Sequence, residues 1–196
     1  MDFNFAAEPL PQFILRYENA VKQGNLEPNA VTLATVNASG QPKARIVYYK
    51  EIINNQITFY TNYHGDKAQE ILLNPKVCIL FFWPKSFEQV QFLGSVQKTS
   101  REVSEKYFAT RARESQIGAW ASDQSKVIKD HDELHQKVLF YEEKFKNQLV
   151  PCPPHWGGFS LNADQIEFWF GRSGRLHERF VYEKSKMDWN RIVKSP

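Results

Sequence analysis

Of the 196 residues only 2 are cysteine, and the 25 Lys and Arg exceed the 22 Asp and Glu by just enough for a formal charge of +3. Two cysteines cannot build a disulfide framework or a four-ligand zinc site. So balanced a charge excludes the single-signed field expected of a nucleic-acid or membrane-surface binder. No apolar run approaches the ~20 residues of a membrane span. Met1-Asp2-Phe3-Asn4-Phe5 lacks the basic start and apolar core of a signal peptide, so the expected compartment is the cytoplasm. Aromatics are what the chain has in quantity: 15 Phe, 8 Tyr and 5 Trp, 14% of the residues. They suit sheets, cores and the walls of planar-ligand sites alike, so composition alone specifies an aromatic-rich globular chain.

Apolar Phe13, Ile14, Tyr17, Ala20 and Val21 recur at helical spacing, predicting a helix over about Leu10–Gln23 that Gly24 and Pro28 end. The period then changes to two. Strands are predicted at Ala30–Val36, Ala44–Tyr49, Ile57–Tyr60, Lys76–Trp83 and Val90–Gln97, with turns at Asn37-Ala38-Ser39-Gly40 and Asn54-Asn55. Further strands follow at Gly158–Leu161, Gln165–Phe170, Arg179–Tyr182 and Trp189–Val193. The run Val77–Phe82, with Cys78 inside it, reads as a buried strand. Hairpin-length connections make an antiparallel barrel or sandwich the expected architecture. Three more helices are expected. Asp66–Leu73 has Asp66 as N-cap. Another opens with the capping box Thr99-Ser100-Arg101-Glu102, Thr99 as cap, and runs to about Arg111. Asp130–Asn147 buries Leu134, Val138, Leu139 and Tyr141. No repeat or composition break divides the chain, so one α+β domain over residues 1–196 is expected, with 1–8 flexible.

His131-Asp132-Glu133-Leu134-His135 sets two histidines four apart, the spacing of zinc peptidases. Their motif needs Glu directly after the first His as base, and here that position is Asp132, so a solvated helix face is the reading adopted. No metal is expected.

Three clusters of cations and polar groups remain. Arg45 and Lys50 bracket one strand and, five apart, fall on opposite faces unless a bulge intervenes. Beyond the next strand, Tyr60-Thr61-Asn62 leads through Gly65-Asp66-Lys67 into a helix, whose free N–H groups and dipole with Lys67 make a phosphate site. Gln124-Ser125, in a turn-like stretch, can meet the same kind of anion. Tyr107, Arg111 and Ser115, spaced four and four, share a face if the helix persists, and suit a second phosphate. Near the end, the aromatic strand Phe168-Trp169-Phe170 runs into a Gly-Ser loop followed by Arg175, His177 and Arg179. From an extended segment these three would point the same way and repel one another unless an anion compensates.

From about Pro9 to Ile192 the chain resembles the pyridoxine/pyridoxamine 5′-phosphate oxidase family, FMN enzymes that make pyridoxal 5′-phosphate. Arg45–Lys50, Phe59–Asn62, Ser115–Ser122, His155–Gly158 and Arg175–Phe180 carry the resemblance. It implies an FMN-binding split β-barrel, mainly antiparallel with peripheral helices, that forms a homodimer with FMN at the subunit interface. It implies that Arg45, Lys67 and Ser125 hold the FMN phosphate, with Thr61 and Gln124 nearby. Ile46, Val47, Lys50, Tyr60, Gln89, Trp169 and Arg179 would complete the cofactor site. Lys50, Tyr107, Arg111 and Ser115 would bind the substrate phosphate. Arg175 and His177 would act catalytically by orienting the pyridine ring and its 3-hydroxyl and stabilising charge. The implied reaction oxidises C4′ of pyridoxamine or pyridoxine 5′-phosphate, with O2 as acceptor and H2O2 as product.

The chain departs from the family pattern in having Asp66 where an Arg usually precedes the phosphate-binding Lys, which is expected to weaken the hold on FMN. Phe170 stands in place of the usual Gln, and the segment that folds over substrate in many members is expected to be missing from the start. Two alternatives stand beside the oxidase: a split-barrel flavin oxidase acting on another ring system, as in phenazine biosynthesis, and a non-catalytic flavin or pyridoxal phosphate carrier.

Overall fold

The computed structural model describes residues 3–186 and 188–196. Short turns join most strands to their neighbours, so pairing is antiparallel throughout and the sheet curls until two of its strands meet. The elements in chain order are α1 (Pro9–Lys22), β1 (Ala30–Val36), β2 (Pro42–Ile53), β3 (Gln56–Asn62), α2 (Asp66–Leu73), β4 (Lys76–Trp83), β5 (Glu88–Lys98), α3 (Arg101–Ala109), α4 (Arg113–Ala121), α5 (His131–Lys144), β6 (Trp156–Phe170), β7 (Glu178–Lys184) and β8 (Trp189–Lys194). The sheet runs β3-β2-β1-β4-β5-β6-β7-β8, and a β3–β6 pairing closes its first six strands into a barrel. β7 and β8 continue the sheet outward from the free half of β6.

The 15 residues of β6 were expected as two strands but form one. Its first part pairs with β3, its last part with β7, and β5 spans both. The expected interruption is a bulge: Leu93 faces Gln165 while Gly94 faces Ala163, leaving Asp164 as the extra residue. Gly94 permits this close approach, because a Cβ there would lie 2.1 Å from the Asn162 carbonyl oxygen.

Alternation fills the barrel. Val31, Leu33, Ile79, Phe81, Val90 and Phe92 point inward and are buried. α1 plugs one end with Phe13, fully buried, its ring 4.8 Å from that of Phe81 and 5.0 Å from that of Phe92. Burying such a side chain contributes roughly 2–3 kcal/mol. Phe3 and Phe5, in the segment expected to be flexible, pack on Phe180, and the Tyr182 hydroxyl donates to the Phe5 carbonyl. A second, smaller core of Phe108, Ile117, Phe145, Val150 and Trp156 seats α3–α5 on the outside of the barrel.

Several local expectations change. Gly65, not Asp66, is the N-cap of α2, and Asp66 is its first residue. Ser100, not Thr99, caps α3, accepting from the Val103 amide at 3.2 Å, while Thr99 bonds the Ser104 hydroxyl instead. α3 stops at Ala109 and does not reach Arg111. Leu139 is exposed, because the face α5 presents to its neighbours is narrow and half-buried. The run Val77–Phe82 is buried on one face only, with Phe82 47% exposed on the other.

Candidate functional site

β2, β3 and the start of α2 on one side, and α3, α4 and the loop after α4 on the other, enclose a cleft of about 670 Å³. Its two ends carry cations held in different ways.

At the α2 end, Gly65 offers no side-chain cap, so the helix relies on other groups to meet its first N–H groups. The Ser125 hydroxyl, on a residue with φ +69°, accepts from the Asp66 amide at 3.2 Å. Lys67 Nζ donates to Gln124 Oε1 at 2.6 Å and to Thr61 Oγ1 at 3.3 Å. No carboxylate among the described residues lies within ion-pair distance of it. Burial, reinforced by the charge of Arg45, holds the Lys67 ammonium below the usual lysine value. Gly65 lets the loop close on the helix, since a Cβ there would meet Gln124 Oε1 at 2.5 Å. Thr61, Lys67, Gln124 and Ser125 therefore come together as expected.

Arg45 lies next to this cluster but outside the cleft lining. On β2 it shares a face with Val47 and Tyr49, and its guanidinium reaches Thr35, the Leu33 carbonyl and Glu70, the last at 2.9 Å. Burial opposes the charge of Glu70, but hydrogen bonds from Thr35, Lys43 and Arg45 outweigh it and hold the carboxyl below its usual range. Lys43 Nζ also bridges Glu70, at 3.1 Å, and Asp66, at 3.6 Å. Ile46 and Val47 line the cleft beside Tyr60. The Tyr60 hydroxyl donates to Glu51 at 2.7 Å, and burial followed by that carboxylate pushes its pKa up.

At the other end, Lys50, Tyr107, Arg111 and Ser115 converge. The β2–β3 register shifts between Tyr49 and Glu51, so Lys50 is the bulged residue. The helix expected to carry the other three does not persist: α3 ends at Ala109 and α4 begins at Arg113, with Ala112 between helices as N-cap. The break places the two helices around the cleft, and that convergence, not a shared helix face, joins the three side chains. Burial lowers the pKa of Arg111, and its Nη1 is buried without a hydrogen-bond partner. Its guanidinium carbon lies 4.7 Å from the Trp156 ring centroid. Trp156 and Asn62, neither singled out as site residues by spacing, also line this cleft. The His155-Trp156-Gly157-Gly158 block was the available signal.

Gln89, Trp169, Arg175, His177 and Arg179 do not line this cleft. Gln89, Trp169 and Arg179 sit side by side in register on β5, β6 and β7, around a separate depression of about 280 Å³. Arg179 is clamped by Glu167 at 2.7 and 3.2 Å, and that hydrogen-bonded carboxylate raises its pKa. The alternation expected for Arg175, His177 and Arg179 fails. Ser173–Arg175 is a single 3₁₀ turn in which Gly174 and Arg175 have φ of +65° and +60°, and the strand begins only at Glu178. Arg175 is exposed, while His177 packs 4.5 Å from the Trp169 ring and its Nδ1 accepts from the Arg172 amide at 3.1 Å.

Comparison with known proteins agrees with this architecture. Residues 17–142 match the family model for pyridoxamine 5′-phosphate oxidase, and residues 156–196 match that for the pyridoxine 5′-phosphate oxidase C-terminal dimerisation region. A pyridoxine/pyridoxamine 5′-phosphate oxidase of Leptospira biflexa is 44% identical over 96% of this chain and 89% of its own length. One from Bdellovibrio bacteriovorus is 44% identical over 99% of this chain and 100% of its own. Among solved structures, PhzG from Burkholderia lata, in complex with tetrahydrophenazine-1-carboxylic acid, superposes with a TM-score of 0.92 over 100% of this chain and 98% of its own; at 23% identity that likeness concerns the fold. The chain belongs to the pyridoxine/pyridoxamine 5′-phosphate oxidase family, oxidoreductases built on a split β-barrel.

Proposed function

We propose that this protein is a cytoplasmic, homodimeric oxidase that converts pyridoxamine or pyridoxine 5′-phosphate to pyridoxal 5′-phosphate. O2 would be the acceptor and H2O2 the product, with water consumed and ammonia released from the amine substrate. The observation that carries this reading is one cleft with a half-buried cation among polar groups at each end: Lys67 with Thr61, Gln124, Ser125 and the α2 N-terminus, and Arg111 with Lys50, Tyr107 and Ser115. A cofactor phosphate at the first and a substrate phosphate at the second would set a flavin and a pyridine ring between them. The first site fits FMN, because Lys67 is desolvated and, among the described residues, without an ion pair, in a cradle whose Gly65 has no room for a side chain. When bound, FMN supplies the hydride acceptor and passes the electrons to oxygen.

The protein's own contribution is position and charge. Lys50, Tyr107, Arg111 and Ser115 would fix the substrate phosphate, aiming C4′ along the cleft. Gln89, Trp169 and Arg179, which within one copy line another depression, and Arg175 and His177, which lie outside the cleft, would reach the same site from a second copy of the chain. The half-exposed Phe82 on the outer face of β4 and the match of residues 156–196 to a dimerisation region support that pairing. The partner subunit's Arg175 and the partner subunit's His177 would then orient the ring and stabilise charge.

Oxygen uptake by the FMN-reconstituted protein tests the reading, with the two phosphorylated vitamers and their unphosphorylated forms offered separately. Uptake that requires the phosphate, with pyridoxal 5′-phosphate and H2O2 appearing in step, is expected. Bound, reducible FMN with no uptake on any vitamer overturns the substrate assignment in favour of another ring system.

A further inference from the structure

Neither spacing nor resemblance gives Trp156 a role, yet it lies at the junction of everything at the Arg111 end of the cleft. It begins β6, is 5% exposed, and belongs to the small core that seats the helices on the barrel. Tyr60 and Tyr107 stack in a near-parallel pair, centroids 4.0 Å apart at 13°, and Trp156 continues the stack 5.5 Å from Tyr60 at 8°. The Arg111 guanidinium lies over the indole at 4.7 Å and over Phe108 at 5.5 Å. Its Nη1 is buried without a partner, and no carboxylate pairs with it among the described residues.

Arg45 and Arg179 show the contrast. Arg45 is paired with Glu70 and Arg179 with Glu167. A guanidinium locked to a carboxylate must surrender that pair, or share it, before it can serve a phosphate. One held by π faces is oriented without being neutralised, because the ring quadrupole attracts the cation but offers no competing acceptor.

We propose that Trp156 is a positioning residue that sets the preference for phosphorylated over unphosphorylated ligands, by holding Arg111 through its indole face with its charge unspent. The inference rests on the reading of Arg111 as a substrate-phosphate contact. It goes further in naming what keeps that contact available.

The test uses the FMN-loaded protein titrated with pyridoxal 5′-phosphate and, separately, with pyridoxal, followed by flavin absorbance. The ratio of the two affinities is the readout. Trp156→Leu, which removes the π face, should lower that ratio about tenfold by weakening the phosphorylated ligand alone, whereas Trp156→Phe should stay within about threefold of the unaltered protein. An unchanged ratio, or an equal loss for both ligands, overturns the proposal and leaves Trp156 as packing. Should Trp156→Leu lose FMN and fold, Phe108→Leu removes the second face and should lower the ratio about threefold; no change there overturns the proposal equally. If the unaltered protein binds both ligands alike, the substrate-phosphate reading itself fails, a result visible before any variant is made.

Discussion

Lys67 stands 2.6 Å from Gln124 Oε1 and 3.3 Å from Thr61 Oγ1, whereas Arg111, at the far end of the same cleft, has no polar side-chain partner among the described residues and rests on Trp156 and Phe108. The first cation is embedded in neutral hydrogen-bond acceptors beside a helix N-terminus; the second is embedded in aromatic faces. Each is desolvated, and in each case burial lowers the pKa. The polar cradle suits a resident anion, since several prearranged groups share the load. The aromatic seat suits an anion that comes and goes, since one strong charge-assisted contact forms and breaks without rearranging a network.

The sharpest way to break this contrast is Arg111→Ala. It should raise KM for the phosphorylated substrate roughly 100-fold while the dissociation constant for FMN stays where it was, because the proposed substrate-phosphate contact is made at that end of the cleft alone. Comparable losses in both constants, in steady-state kinetics and flavin titration, would mean that the two ends do not act separately.

Lys67→Ala is the mirror experiment. FMN affinity should fall roughly 30-fold, while riboflavin, which lacks the phosphate, binds as before. Fluorescence titration of the cofactor-free protein with each flavin measures both.

pH sharpens the same point. A phosphate bound at Lys67, as proposed for FMN, would favour the charged ammonium, and burial places the pKa of the free protein's Lys67 below 10.5, so FMN affinity should decline as pH rises through that lowered value. Stability of the cofactor-free protein should respond with the opposite sign. Between the lowered folded pKa and the unfolded value the unfolded chain binds more protons, so Lys67 contributes a gain in stability as pH rises across that window. Denaturant melts of the cofactor-free protein and its Lys67→Met variant at several pH values would show it; parallel curves would refute it.

The smallest expected effect is at Asp66. Lys43 lies 3.6 Å away and already offsets much of its charge at an exposed position. Asp66→Asn should therefore tighten FMN only about threefold in dilute buffer and leave it unchanged at high salt. A larger gain would show that Lys43 does not compensate.

How much could be read in advance differs from element to element. The sequence predicts β1 and β4 at their observed bounds, because short runs of apolar and β-branched residues bounded by turn and loop residues delimit them. The sequence reading divides β6 in two, leaving Asn162-Ala163-Asp164 between the strands; only the long partner β5, alongside it throughout, makes that break a bulge. The polar cradle was legible, since Thr61, Gly65 and Lys67 lie close in sequence at a strand-to-helix junction. Arg111 was found for an imperfect reason: a spacing of four assumes one helix, and the chain instead bends at Ala112 to bring two short helices round the same point. Trp156 was missed as a site residue because an indole in an apolar context reads as core, which it also is. The alternation drawn through Arg175, His177 and Arg179 failed because two successive left-handed residues, Gly174 and Arg175, interrupt the extended chain.

The sequence by itself determined the period of each element, the turns that keep neighbouring strands antiparallel, and the supply of cations at two local junctions, because these depend on residues within a few positions of one another. Closure of β3 onto β6, the docking of the helices that carry Tyr107, Arg111 and Ser115 across from Lys50, and the separation of Arg179 and His177 from that cleft were decided by tertiary structure. Each depends on packing between segments scores of residues apart, where the burial of Phe13, Phe108 or Trp156 against distant partners outweighs any local preference.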